Sequence, residues 1–167
     1  MAFSYYNRLS RAAKRIYDRS DAIQAIRLNE PAALWPLVEN LGAALAMEDQ
    51  RQTLLTTRRL LSDLNDNLQV PPVKVKVLAA RPHANWGELH GLYTGRDGRG
   101  LAEISVWMRT AKRRQVVAFR TFVRTVLHEW CHHLDFELLS LEESFHTEGF
   151  YKRESSLFHQ LVPKSSK

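Results

Sequence analysis

His128, Glu129 and His132 stand in the order His-Glu-x-x-His, within Thr125-Val126-Leu127-His128-Glu129-Trp130-Cys131-His132-His133-Leu134-Asp135. At about 100° per residue the two histidines fall about 40° apart on one helical face, one turn apart along the axis. From there both imidazoles can reach one ion at about 2.0–2.1 Å. Glu129 follows the first ligand, so its carboxylate projects beside the ion and not onto it. A carboxylate in that place can take a proton from metal-activated water. This is the pattern of a zinc-hydrolase helix. In 167 residues containing 7 His, random order gives roughly 0.02 occurrences of it.

The motif needs a helix to carry it. Val116, Phe119, Val123, Val126, Leu127, Trp130, Leu134 and Leu138 fall on one broad arc, which predicts a largely buried helix from about Lys112–Gln115 to about Leu139. Polar groups on such a helix must find partners, and a cation is one. The single cysteine, Cys131, sits on the apolar arc and reads as an inert buried thiol. Before this helix, Val73-Lys74-Val75-Lys76-Val77 alternates strictly, as a half-buried strand does. Glu88 to Tyr93 is a second candidate strand, and Thr94 to Gly100 a Gly-containing hairpin loop. Ala102 to Arg109 is a third, with Ala102, Ile104, Val106 and Met108 facing in. Placed next to the metal helix, this third strand is a candidate edge for pairing an extended substrate.

Residues 1–66 read as helical scaffold, with Pro31 at a helix start and Leu34 to Leu64 supplying apolar faces. Asn65-Asp66-Asn67 and Pro71-Pro72 mark the boundary to the core. Past the metal helix, Thr147 is placed to cap a last helix with Phe150, Leu157 and Leu161 on its apolar side. Pro163 to Lys167 reads as a frayed tail.

A catalytic zinc usually takes three protein ligands and a water. Asp135 and Leu138 stand where a longer His-Glu-x-x-His motif would need Gly and His, so that variant is excluded. His146 follows His132 past a turn and can swing back to the ion; Glu154 or Glu148 on the following helix are carboxylate alternatives. Tyr151, Arg153 and His133 are candidate donors to a tetrahedral oxyanion. Asp135 is either an acceptor for the Nδ1–H of a ligand histidine or a solvent-facing carboxylate. His83, His90 and His159 read as ordinary polar residues.

Length and composition are those of one ordinary globular domain. No apolar run of about 18 residues occurs, so no membrane span is expected. Met1 to Arg15 has no apolar signal core, and with the single cysteine this favours a cytoplasmic setting. The net charge of +6 is uneven: residues 67–127 hold 11 basic and 3 acidic side chains. Arg109, Lys112, Arg113, Arg114, Arg120 and Arg124 make a basic block that could attract nucleic acid or an acidic protein. No nucleic-acid motif or aromatic–basic interleaving accompanies it.

From about Gly91 to Leu157 the chain resembles the SprT-like zinc metallopeptidases. The resemblance consists of the Gly-containing hairpin, Ile104-x-Val106, Thr125-x-x-His128-Glu129-x-x-His132 and His146-x-x-x-Phe150. It implies Zn2+ on His128, His132 and His146, Glu129 as general base, and a small core with an edge strand over the metal. The chain departs from many members in having no cysteine-rich C-terminal zinc ribbon, so DNA association does not follow from the resemblance. Together these readings predict an α+β chain, with a small, mostly antiparallel sheet packed on the zinc helix. The expected divisions are a helical region at 1–68, a metallopeptidase core at 69–162 and a tail at 163–167. The expected function is hydrolysis of peptide bonds in a protein or peptide substrate. The alternative is a non-catalytic, zinc-stabilised nucleic-acid- or protein-binding module using the 109–124 block, which four protein ligands on the metal would favour.

Overall fold

Helix α4, Phe119–Glu137, carries the motif through the interior, with Val123, Val126, Leu127, Trp130 and Leu134 all buried. The structure is a computed structural model that describes residues 2–80, 91–96, 100–111 and 113–164. The helix starts later than its apolar periodicity suggests. Val116 pairs with Arg109, and the Val117 N–H donates to the Met108 carbonyl at 2.8 Å. Those two residues prolong the preceding strand, so helical backbone begins only after the extended Ala118 (ψ 143). At the other end Ser140 takes left-handed backbone (φ 54), and the Leu141 N–H closes on the Asp135 carbonyl at 2.8 Å. Leu138 therefore lies past the last turn and is exposed.

The N-terminal region is helical, as its composition suggests. A 3₁₀ turn at Ser4–Arg8 precedes α1, Arg11–Ala22, whose first turn is capped by the Ser10 hydroxyl accepting from the Ala13 N–H. The chain leaves α1 at Ile23, and residues 23–28 are not helical. Pro31 opens a 3₁₀ turn that runs into α2, Trp35–Ala46, where Pro36 sits in the first turn and interrupts no hydrogen bond. Asp49 caps α3, Gln50–Leu68. Asn65-Asp66-Asn67 does not break the chain: α3 continues through it and stops at Gln69 (φ 56). The local turn propensity of asparagine is overridden because Asn65 is buried and its Oδ1 accepts from Trp130 Nε1 at 2.7 Å.

Among the described residues three strands follow: β1, Val73–Ala80; β2, Gly91–Thr94; and β3, Ala102–Arg109. The sheet order is β1-β3-β2. It is a mixed sheet. β1 runs parallel to β3, from Val73 opposite Ala102 to Ala80 opposite Arg109, and β2 runs antiparallel to β3. The expected hairpin pairing thus holds for β2 and β3, whereas β1 pairs parallel. The expectation that Ala102–Arg109 is an edge free to pair a substrate is overturned, because β3 is hydrogen-bonded on both sides. Ser105 and Trp107, read as outward-facing, are also buried, as befits a central strand. The outer strand beside α4 is β2. Of the residues expected in that second strand, 88–90 lie outside the described residues, as do His83 and His90.

One apolar cluster runs from Leu41, Leu60, Leu61 and Leu64 through Val75, Ile104 and Val106 to Val126 and Trp130, and on to Phe150 and Leu157. It joins α2 and α3 to the sheet, to α4 and to α5, Glu148–Leu161. Thr147 caps α5 as expected, its Oγ1 accepting from the Phe150 N–H at 2.8 Å, a contact worth about 1 kcal/mol. Among the described residues no helix is long and apolar enough to cross a membrane.

Candidate metal centre

His128 and His132 project from one face of α4, and the segment between α4 and α5 brings His146 back to them. One ligand atom from each of the three rings lies within 4.8 Å of the others. The ring centroids form a near-equilateral triangle, 5.1 Å for His128–His132, 4.8 Å for His128–His146 and 4.9 Å for His132–His146. Nε2 of His132 and Nε2 of His146 are 3.0 Å apart. Two nitrogens at about 2.0–2.1 Å from a shared tetrahedral ion stand roughly 3.3 Å apart, so little adjustment is needed.

The backs of the two helix histidines are engaged. His128 Nδ1 lies 2.7 Å from Glu154 Oε1, and His132 Nδ1 lies 2.7 Å from Ser144 Oγ. Such outer partners orient ligand imidazoles and leave Nε2 for the ion. Glu154, weighed above as a third ligand, is bound to Nδ1 of His128 and stands outside the converging group of three. Glu148, the other carboxylate considered, pairs with Lys152 on α5 at 3.1 Å. Asp135 is not solvent-facing. It is fully buried, accepts from Ser144 at 2.7 Å and pairs with the buried Arg153 at 3.0 Å.

Glu129 is 5% exposed and lies on α4 beside the cluster, against Gly91 of β2. Desolvation pushes its carboxyl up to about 7, with the His128 charge opposing and Glu154 adding to the rise. Desolvation and the neighbouring imidazoles push His132 down to about 3, and His146 also falls. Desolvation acts the same way on His128, but the hydrogen bond to Glu154 and the charges of Glu129 and Glu154 outweigh it, so His128 is raised. Two rings are thus held neutral, the form that ligates a cation.

The oxyanion candidates separate. Arg153 is fully buried and bound to Asp135 and to the end of α1. His133 lies between Tyr93 and the Pro71 carbonyl, at 3.0 and 2.8 Å. Neither faces the cluster. Tyr151 is 42% exposed, with its ring centroid 5.7 Å from that of His146 and 6.1 Å from that of His128. A cleft of about 430 Å³ opens over the site, walled by Gly91, Leu92 and Tyr93 of β2, by Phe136 and by Glu143. Sequence reasoning missed Tyr93 and Ser144, because nothing local marks either.

The basic block is in part neutralised: Arg109 pairs with Glu48 at 2.8 Å, and Arg124 lies 3.8 Å from Glu154. Arg120 and Arg124 stack over Phe158. Lys112 lies outside the described residues. Cys131 is buried, and desolvation raises its thiol far above the usual range. No protein-family model matches the chain, and neither a curated protein nor a solved structure matches it, so the resemblance to SprT-like peptidases rests on the quoted residues alone.

Proposed function

We propose that the chain is a zinc-dependent metallopeptidase of the SprT-like kind, with His128, His132 and His146 as ligands and Glu129 as general base. The observation that carries this reading is the convergence of three imidazoles beside a desolvated carboxylate at the floor of an open cleft. The donor set fits the ion: three nitrogen ligands suit zinc among the common divalent metals, and an open fourth position is the arrangement of a hydrolytic site. When bound, zinc supplies Lewis-acid polarisation of a carbonyl and activation of water.

The chain's own groups do the rest. Glu129, raised toward neutrality, takes a proton from the attacking water and delivers it to the leaving amine. Of the three oxyanion donors weighed from the sequence, Tyr151 is the one whose ring lies near the histidines, and it takes that role. A peptide lies along β2, the outer strand that walls the cleft, pairing through its backbone and so with little sequence preference. Exposed Leu92 on that strand offers an apolar contact to substrate side chains. The reading extends to a reducing, cytoplasmic setting, with Cys131 an inert thiol.

Glu129→Gln tests the function. The variant should bind one zinc with the affinity of the wild type and lose about 10²–10⁴-fold in cleavage of an unfolded casein-type substrate. Unchanged turnover with bound metal would remove Glu129 from its role. A wild-type chain that binds zinc and cleaves nothing would leave the binding-module reading in its place.

A further inference from the structure

We propose that Ser144 and Arg153 are positioning residues for the metal centre: they lock His132 in the tautomer that carries its proton on Nδ1 and leaves the Nε2 lone pair for the cation. The inference rests on the reading of the three histidines as ligands. It follows from counting protons along one hydrogen-bonded chain. The Arg153 side chain is fully buried, and a guanidinium can only donate. Its Nη1 donates to the backbone carbonyls of Ser20 and Ile23, and its Nη2 donates to Ser20 Oγ at 2.9 Å and to Asp135 Oδ1 at 3.0 Å. The carbonyls belong to the C-terminal end of α1, the negative end of that helix.

Asp135, paired with this cation, is a carboxylate and can only accept. Ser144 therefore gives its one hydroxyl proton to Asp135 Oδ2, 2.7 Å away. What Ser144 then presents to His132 Nδ1, also at 2.7 Å, is a lone pair. The bond between them requires the proton to sit on Nδ1 of His132, so Nε2 is bare. In the metal-free chain that bare nitrogen accepts from Nε2 of His146 at 3.0 Å. Metal binding must displace the His146 proton. A helix of the N-terminal region is thus joined to the metal ligand His132 through three side chains, Arg153, Asp135 and Ser144.

The test is long-range ¹H–¹⁵N NMR of the metal-free full chain, alongside zinc titration. Wild-type His132 should show a protonated Nδ1 and an unprotonated Nε2. In Ser144→Ala that preference should be lost and the zinc dissociation constant should rise about 10–100-fold. Ser144→Thr, which returns a hydroxyl, should restore both. A wild-type His132 protonated on Nε2 overturns the proposal without any variant. So does a folded Ser144→Ala chain whose zinc affinity stays within about twofold of wild type. Zinc bound with the stated tautomer, and no peptide cleaved, supports the proposal and removes the hydrolase reading instead.

Discussion

Gly91 and Glu129 touch across β2 and α4: a Cβ on Gly91 would stand 2.9 Å from Glu129 Cγ, 2.9 Å from Thr125 Cγ2 and 3.2 Å from the Ser105 carbonyl. The last of these is backbone in a central strand and cannot yield. Gly91→Ala should therefore push β2 away from α4 or displace the base. The expected cost is about 1–3 kcal/mol of stability, as for overpacking elsewhere. Zinc affinity should change little, since no ligand is touched, while peptide cleavage falls. Urea unfolding, metal titration and a cleavage assay on one preparation separate the three effects. A variant as active and as stable as the wild type would show that the strand has slack.

His146 is the exposed member of the cluster, on a segment outside the regular elements. Its removal should leave the folded chain nearly intact, within about 0.5 kcal/mol. The metal should not survive as well. His146→Ala is expected to lose at least about 100-fold in zinc affinity, because two imidazoles remain where three are needed. Retained affinity would turn attention to a carboxylate such as Glu143, which walls the same cleft.

The stability of the metal-free chain should depend on pH in a way that Glu129 shapes. The folded value of His132, lowered by desolvation to about 3 from 6.5, means that its contribution is present above pH 6.5. It is lost as pH falls toward 3. Glu129 acts oppositely: raised to about 7 from 4.5, its contribution is full below pH 4.5 and is lost as pH rises through 7. The two slopes oppose one another between pH 4.5 and 6.5. Glu129→Gln deletes one of them, so unfolding free energy should rise more steeply with pH across that window than in the wild type. Parallel curves for the two chains would mean that the carboxyl titrates as it does in water.

Asn65 holds the indole N–H of the motif helix from α3, at 2.7 Å in a buried setting. Asn65→Ala leaves that donor unpaired and should cost about 1–3 kcal/mol. The loss should appear in denaturant midpoints with zinc affinity nearly unchanged, since Trp130 faces away from the ligands. An equal loss of metal binding would show that α3 also sets the register of the ligand face.

Much of the site was legible in the sequence because helical periodicity is local. The spacing of His128 and His132, the offset of Glu129 and the apolar arc through Trp130 need only residues a few positions apart, and α4 realises all three. Thr147 announced the start of α5 for the same reason, and alternation marked Val73–Val77. The start of α4 was misplaced because Val116 fits a helical arc equally well, until Arg109 claims it as strand.

Tertiary structure decided the rest. Alternation cannot tell a central strand from an edge, and only the parallel pairing with β1 closes the free side of β3 and leaves β2 beside the cleft. Residue type made Glu154 a possible ligand and Arg153 a possible oxyanion donor. Packing of α5 against α4 and α1 turned the first to the back of His128 and buried the second against Asp135. A side chain's role depends on which atoms meet it across the core, and those partners lie 18 to 133 positions away along the chain. Local propensity carries no information over such separations.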